Sequence, residues 1–82
     1  MSRQHHDLKT ETEYYQASER GEKDFEVRKN DRNFKKYDTV TLVELVQGIP
    51  TGRKLDTAEI IYIIYGGQFG IDPDYCVMQL KR

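Results

Sequence analysis

The sequence predicts an α+β chain that is mainly β, a small mixed β-barrel of about five strands with one short N-terminal helix. Three observations carry that prediction. Runs rich in β-branched and aromatic residues recur with turn residues between them. The one helix signal stands early, at Thr10-Glu11-Thr12-Glu13. Ala58 to Tyr65 is apolar on both faces, so it needs cover on both sides, and closure into a barrel removes the edges it would otherwise expose.

In chain order, the polar segment Gln4 to Lys9 has only Leu8 as a strongly apolar residue and reads as a short strand near a sheet edge. Thr10 and Glu13 then form a capping box, which starts a helix spanning about Glu11 to Arg20. Gly21 ends it, because glycine takes the left-handed conformation that closes a helix. So short a helix is marginal alone and must lay its tyrosines on the sheet. Lys23 to Lys29 alternates, and a period of two puts Phe25 and Val27 on a core face, with Glu26 and Arg28 on a charged one. Asn30-Asp31-Arg32-Asn33 is turn chemistry, with Phe34 as the anchor of the loop. Asp38 to Val46 is the clearest strand. Gln47 to Gly52 breaks it, Ala58 to Tyr65 forms the centre of the core, Gly66 to Pro73 is a loop, and Asp74 to Lys81 closes the fold with Cys76, Met78 and Leu80 on one face. Ile61 is expected in the core beside Ile60.

A chain of 82 residues suits one small domain spanning 1–82, with a modest core. No run approaches the roughly 20 apolar residues of a membrane helix, and Met1 to His6 lacks the apolar region of a signal peptide, so a cytoplasmic protein away from the membrane is expected. The single cysteine, Cys76, forms no intramolecular pair and reads as a small buried apolar residue. His5 and His6 lack a spaced second cluster, so no metal and no cofactor are expected. Nothing in the sequence speaks to association, and a monomer is assumed.

Net charge is only −1, which argues against a generic basic nucleic-acid coat. The distribution is more telling, since Arg20 to Lys36 holds seven basic residues against four acidic ones. A basic island on a neutral chain suits a few nucleotides better than a long duplex.

Gly21-Glu22-Lys23-Asp24-Phe25-Glu26-Val27-Arg28 fits a G-x-K-x-x-E-x-R pattern and resembles the signature of the ASCH domain, a member of the PUA-like superfamily of small β-barrels. More narrowly, His6 to Lys9, Phe25 to Phe34, Tyr37-Asp38, Thr51 to Arg53 and Gly66 to Ile71 resemble an uncharacterised subfamily of that superfamily found in bacteria and phages. The subfamily often has Leu-Pro where this chain has Glu11-Thr12. The resemblance implies a barrel whose cleft is lined by the signature strand, and a role in binding RNA or a modified nucleotide.

Lys23, Glu26 and Arg28 are the leading candidates for that cleft. Arg28 forks onto phosphate or carboxylate, Lys23 offers a compact charge, and Glu26 accepts from an exocyclic amine. Lys23 has the wrong parity to join the other two unless the strand begins after it or is bulged. Lys29 and Arg32 add phosphate contacts, and His6 borders the cleft as a hydrogen-bonding group. Gly66, Gly67 and Phe69 are candidate ligand contacts from the loop, where glycine permits close backbone approach and Phe69 or Tyr75 offers a stacking surface. The favoured expectation is a nonenzymatic binding module for single-stranded RNA or a nucleotide-like ligand. Its rivals are a small amidohydrolase acting on an acylated nucleoside, with Lys23 as nucleophile and Glu26 shuttling protons, and a protein-docking module. The hydrolase branch of the superfamily has Thr at the position of Glu26.

Overall fold

The computed structural model describes residues 3–82; the first two residues of the signal-peptide reading lie outside the described residues. Six strands and one helix follow in the order β1 His5–Glu11, α1 Thr12–Glu19, β2 Phe25–Lys29, β3 Thr39–Val46, β4 Ile49–Lys54, β5 Ala58–Tyr65 and β6 Tyr75–Lys81. Five of them lie in the order β1-β3-β5-β6-β2, and β4 pairs only with β3. The sheet is mixed. β1 runs parallel to β3, and the other pairings are antiparallel. It curls into a half-barrel, as the mainly-β reading of the sequence expects.

The core is made by alternate residues of the strands, as a period of two requires. Leu8, Val40, Leu42, Ile60, Met78 and Leu80 are buried, with Cys76 and Ala58 beside them. Tyr15 from α1 and Phe34 from the β2–β3 loop are buried in the same cluster. Asn30 accepts the Phe34 backbone N–H at 2.8 Å and the Tyr65 hydroxyl donates to the Phe34 carbonyl at 2.9 Å, so the loop anchor is fixed from both sides.

Several expectations change. The two faces of β2 are exchanged: Phe25 and Val27 are exposed, at 44% and 54%, while Glu26 is buried at 2%. Ion pairing outranks apolar patterning there, because Glu26 finds cationic partners inside. The capping box does not form. Glu11 occupies the N-cap with no side-chain cap bond, since the Thr10 hydroxyl is committed inward, donating to the Leu8 carbonyl and accepting from Arg28. Gly21 does end the helix, with φ +81 and its N–H on the Ser18 carbonyl.

The expected break after β3 is a hairpin. Gln47 and Gly48 have φ +50 and +79, the left-handed pair of a tight two-residue turn. It leads into β4, an edge strand that tolerates Pro50 because one side of its backbone needs no partner. Between the pairs Val43↔Lys54 and Leu45↔Pro50 the register shifts, and Gly52 takes φ +87 within that bulge. Ile61 is half-buried rather than central, because the β5–β6 register also shifts between Ile60 and Tyr62. That bulge changes the strand's parity, which is how Ile60 and Ile63 both reach the core.

Candidate functional site

The curled sheet does not close through its backbone. β1 and β2 end the five-strand order, and no Cα of one lies within 8 Å of a Cα of the other. Two arginines bridge the seam. Arg28 Nη2 donates to Thr10 Oγ1 at 3.0 Å, and Arg32 Nη1 donates to the Asp7 carbonyl at 2.7 Å.

The backbone along the seam is oriented by the pairings on its far side. Leu80 N–H donates to Asp24 O and Asn30 N–H to Asp74 O, so the even residues of β2 face β6 and the amides of Phe25 and Val27 face the seam. Likewise Thr39 N–H donates to Gln4 O, which turns the even residues of β1 toward β3 and the amide of Lys9 toward the seam. The Arg32 bond to the odd-numbered Asp7 agrees with this.

Where the bridges end, the seam opens into a groove of about 450 Å³, lined on one side by Lys9, Thr10 and Tyr14 and on the other by Lys23, Phe25, Glu26 and Arg28. Glu26 is its organising residue. One carboxylate oxygen meets Lys23 Nζ, and the other accepts from Arg28 Nε at 3.0 Å and lies 2.9 Å from Nη2. Both oxygens are therefore engaged by cations. Lys23 reaches Glu26 because β2 begins at Phe25, so the parity objection raised by an unbroken strand does not apply; its amide is held by the Ala17 carbonyl. Its ammonium also lies 5.3 Å from the centre of the Phe25 ring, within the range of a cation–π contact. Tyr14 and Phe25 are half-exposed aromatics at the rim. Sequence patterning missed both as groove residues, because Phe25 reads as core and Tyr14 as helix face.

The remaining candidates divide. Lys29 and Arg32 line a second, smaller cavity of about 180 Å³, together with Asp31, Phe34 and, again, Arg28. His6 is buried: Nε2 sits 3.0 Å from Asp38 Oδ2 and its ring meets the Phe34 ring edge-on at 4.7 Å. Burial raises the Asp38 carboxyl pKa, but the bonds from His6 and from the Gln4 and Lys35 amides outweigh it and hold the pKa below 3.8. Gly66, Gly67 and Phe69 line neither cavity. A Cβ on Gly66 would fall 1.9 Å from the Asp72 carbonyl oxygen, so this glycine serves the tight β5–β6 connection. Phe69 is 83% exposed. Cys76 is buried, and burial pushes its thiol pKa up, the opposite of nucleophile activation.

Fold and site together define a small, mainly-β chain with a charged groove at an open sheet seam. A family model described as "Domain of unknown function (DUF3850)" matches residues 5–80, and the chain belongs to that family. It is also 43% identical over 51 residues to an "Uncharacterized 12.9 kDa protein in GpA 3'region" of Escherichia phage P2. That match covers 62% of this chain and 47% of the phage protein, so the chain spans about half the length of that relative. Among the described residues no helix is long and apolar enough to cross a membrane.

Proposed function

We propose that the groove at the β1–β2 seam binds a single-stranded RNA or nucleotide-like ligand without turnover, in the manner that the ASCH and PUA-like resemblance implies. One observation carries the reading: Lys23 and Arg28 are held on a buried carboxylate at the floor of a groove whose rim carries Tyr14 and Phe25. Pre-positioned cations beside exposed aromatic rings are what a phosphate and a stacked base each require. Lys9 adds a further cation on the facing wall. Glu26 orients Arg28 and Lys23 rather than reading a base, since it is buried and each of its oxygens holds one of the two cations. Polar groups facing the seam that can meet a base edge include the backbone N–H and C=O of Lys9, Phe25 and Val27.

The hydrolase alternative needs Lys23 free to attack an acyl carbon, whereas its Nζ is engaged by Glu26. The test is binding of short oligoribonucleotides across a salt series, with Arg28→Ala beside the wild type. Affinity should fall with salt, and losing one phosphate contact should flatten the log-log slope by about 0.7. Salt-independent or absent binding in the wild type would remove the nucleic-acid reading. Hydrolysis of acylated cytidines to cytidine and the free carboxylate would replace the binder with the enzyme.

A further inference from the structure

Arg28 belongs to two cavities at once. It lines the 450 Å³ groove with Lys23 and Phe25, and it lines the 180 Å³ cavity with Lys29 and Arg32. Its Nε and Nη2 are committed to Glu26 and Thr10, while Nη1 has no partner among the described bonds. It therefore stands as a fixed partition across the seam, carrying donors at the boundary. The second cavity is cationic in sum, with Arg28, Lys29 and Arg32 against Asp31, and it lacks an exposed aromatic wall because Phe34 is buried at 1%. The two chambers thus differ in chemistry. One offers aromatic faces with Lys9 and Lys23 beside Glu11 and Glu26, the other mostly positive charge.

We infer that the ligand is a strand of at least two nucleotides lying along the seam, with one base in the larger groove beside Tyr14 and Phe25, that nucleotide's own phosphate on Arg28, and the next phosphate of the strand on Arg32 and Lys29. This rests on the nucleotide-binding reading and deepens it by fixing the ligand's minimum length and direction of travel. A mononucleotide, with its single phosphate at Arg28, fills the first chamber and leaves the second empty. A duplex does not fit, because the base in the larger groove must be unpaired to stack on its rim. Arg32 is already tethered to the Asp7 carbonyl through Nη1, so its guanidinium is held at the seam with its other donors available.

The experiment is a length series: uridine 5′-monophosphate, then 5′-phosphorylated oligouridylates of two, three and four residues, so that each step adds one phosphate, titrated against the wild type, Arg32→Ala and Arg32→Lys. Because a charge-assisted contact contributes about 1.5–3 kcal/mol, the dinucleotide should bind about tenfold or more tighter than the monophosphate. Further lengthening should add little. Arg32→Ala should abolish most of that gain, so that its dinucleotide and monophosphate affinities converge, Arg32→Lys should restore part of it, and circular dichroism should show all variants folded. Equal affinity for one and two nucleotides, a steady rise through four, or an equal loss at every length in Arg32→Ala would each overturn the two-chamber path while leaving a nucleotide-binding groove in place. If no member of the series binds, both the path and the function it rests on are wrong.

Discussion

Two buried glutamates sit on strands that β5 and β6 separate in the sheet, and they are used in opposite ways. Glu26, on β2, holds two cations that open onto a groove. Glu44, on β3, accepts from two hydroxyls, Thr51 Oγ1 at 2.7 Å and Thr12 Oγ1 at 2.8 Å, with Arg53 Nη1 at 3.8 Å. The Glu44 cluster ties the β4 hairpin and the start of α1 to the sheet. Arg53 extends the tie outward, donating to Glu19 at 2.7 Å and covering the Tyr15 ring at 5.5 Å. A buried carboxylate must find partners, and the partner type decides its use. Hydroxyls and a more distant arginine satisfy Glu44 locally as a staple. Two full cations on Glu26 over-satisfy its single charge, so positive charge remains for a ligand.

The contrast can be broken most sharply at Glu26 itself. Glu26→Ala leaves Lys23 and Arg28 without their counter-charge in a partly buried site, and we expect a loss of about 3 kcal/mol in urea unfolding, the lower part of the range for a buried pair losing one member. The isosteric Glu26→Gln should weaken binding to every base alike, since the role is orientation. A change of base preference instead would mean that Glu26 reads the base.

Binding separates the two clusters next. Lys23→Ala should lower oligoribonucleotide affinity by about tenfold, the size of one lost charge-assisted contact, whereas Arg53→Ala should leave it unchanged while lowering the melting temperature. Equal losses in both variants would mean that the cations act through the general field of the protein.

Acid should act through the staple and the His6 partner. Glu44 is held below its ordinary 4.5 by the Thr51 and Thr12 hydroxyls against the opposing effect of burial, and Asp38 is likewise held below 3.8. Both carboxyls bind protons less readily folded than unfolded. Their contribution is therefore complete above about pH 5 and is lost as pH falls through their lowered folded values. Glu44→Gln should make that acid limb shallower, and an unaltered limb would show that the Glu44 cluster contributes little. The smallest effect belongs to the outward side of β2, where Val27→Ala should stay within about 0.5 kcal/mol of wild type, the usual size for an exposed site. By contrast, Ile60→Ala should cost about 2–5 kcal/mol.

The sequence by itself determined the class of fold, the helix and its glycine stop, and the strands β3, β5 and β6, because those signals are local: β-branched runs, a left-handed glycine and alternate apolar residues inform on the backbone near them. It also brought Lys23, Glu26 and Arg28 together as candidates through the G-x-K-x-x-E-x-R pattern, although the parity of an unbroken strand set Lys23 apart. What only the tertiary structure decided was orientation and company. Phe25-Glu26-Val27 reads as apolar-in and charged-out until the curl of the sheet brings Thr10 from β1 within reach of Arg28, after which the ion pair faces inward and the apolar side chains turn out. Gly66, Gly67 and Phe69 look like ligand contacts in a string of glycines, yet β5 and β6 carry them away from the groove. The capping box failed for the same reason: Thr10 faced a choice between its own helix and an arginine 18 residues away. Periodicity describes a strand's two faces equally well, and only the closure of the seam determines which of them is the inside.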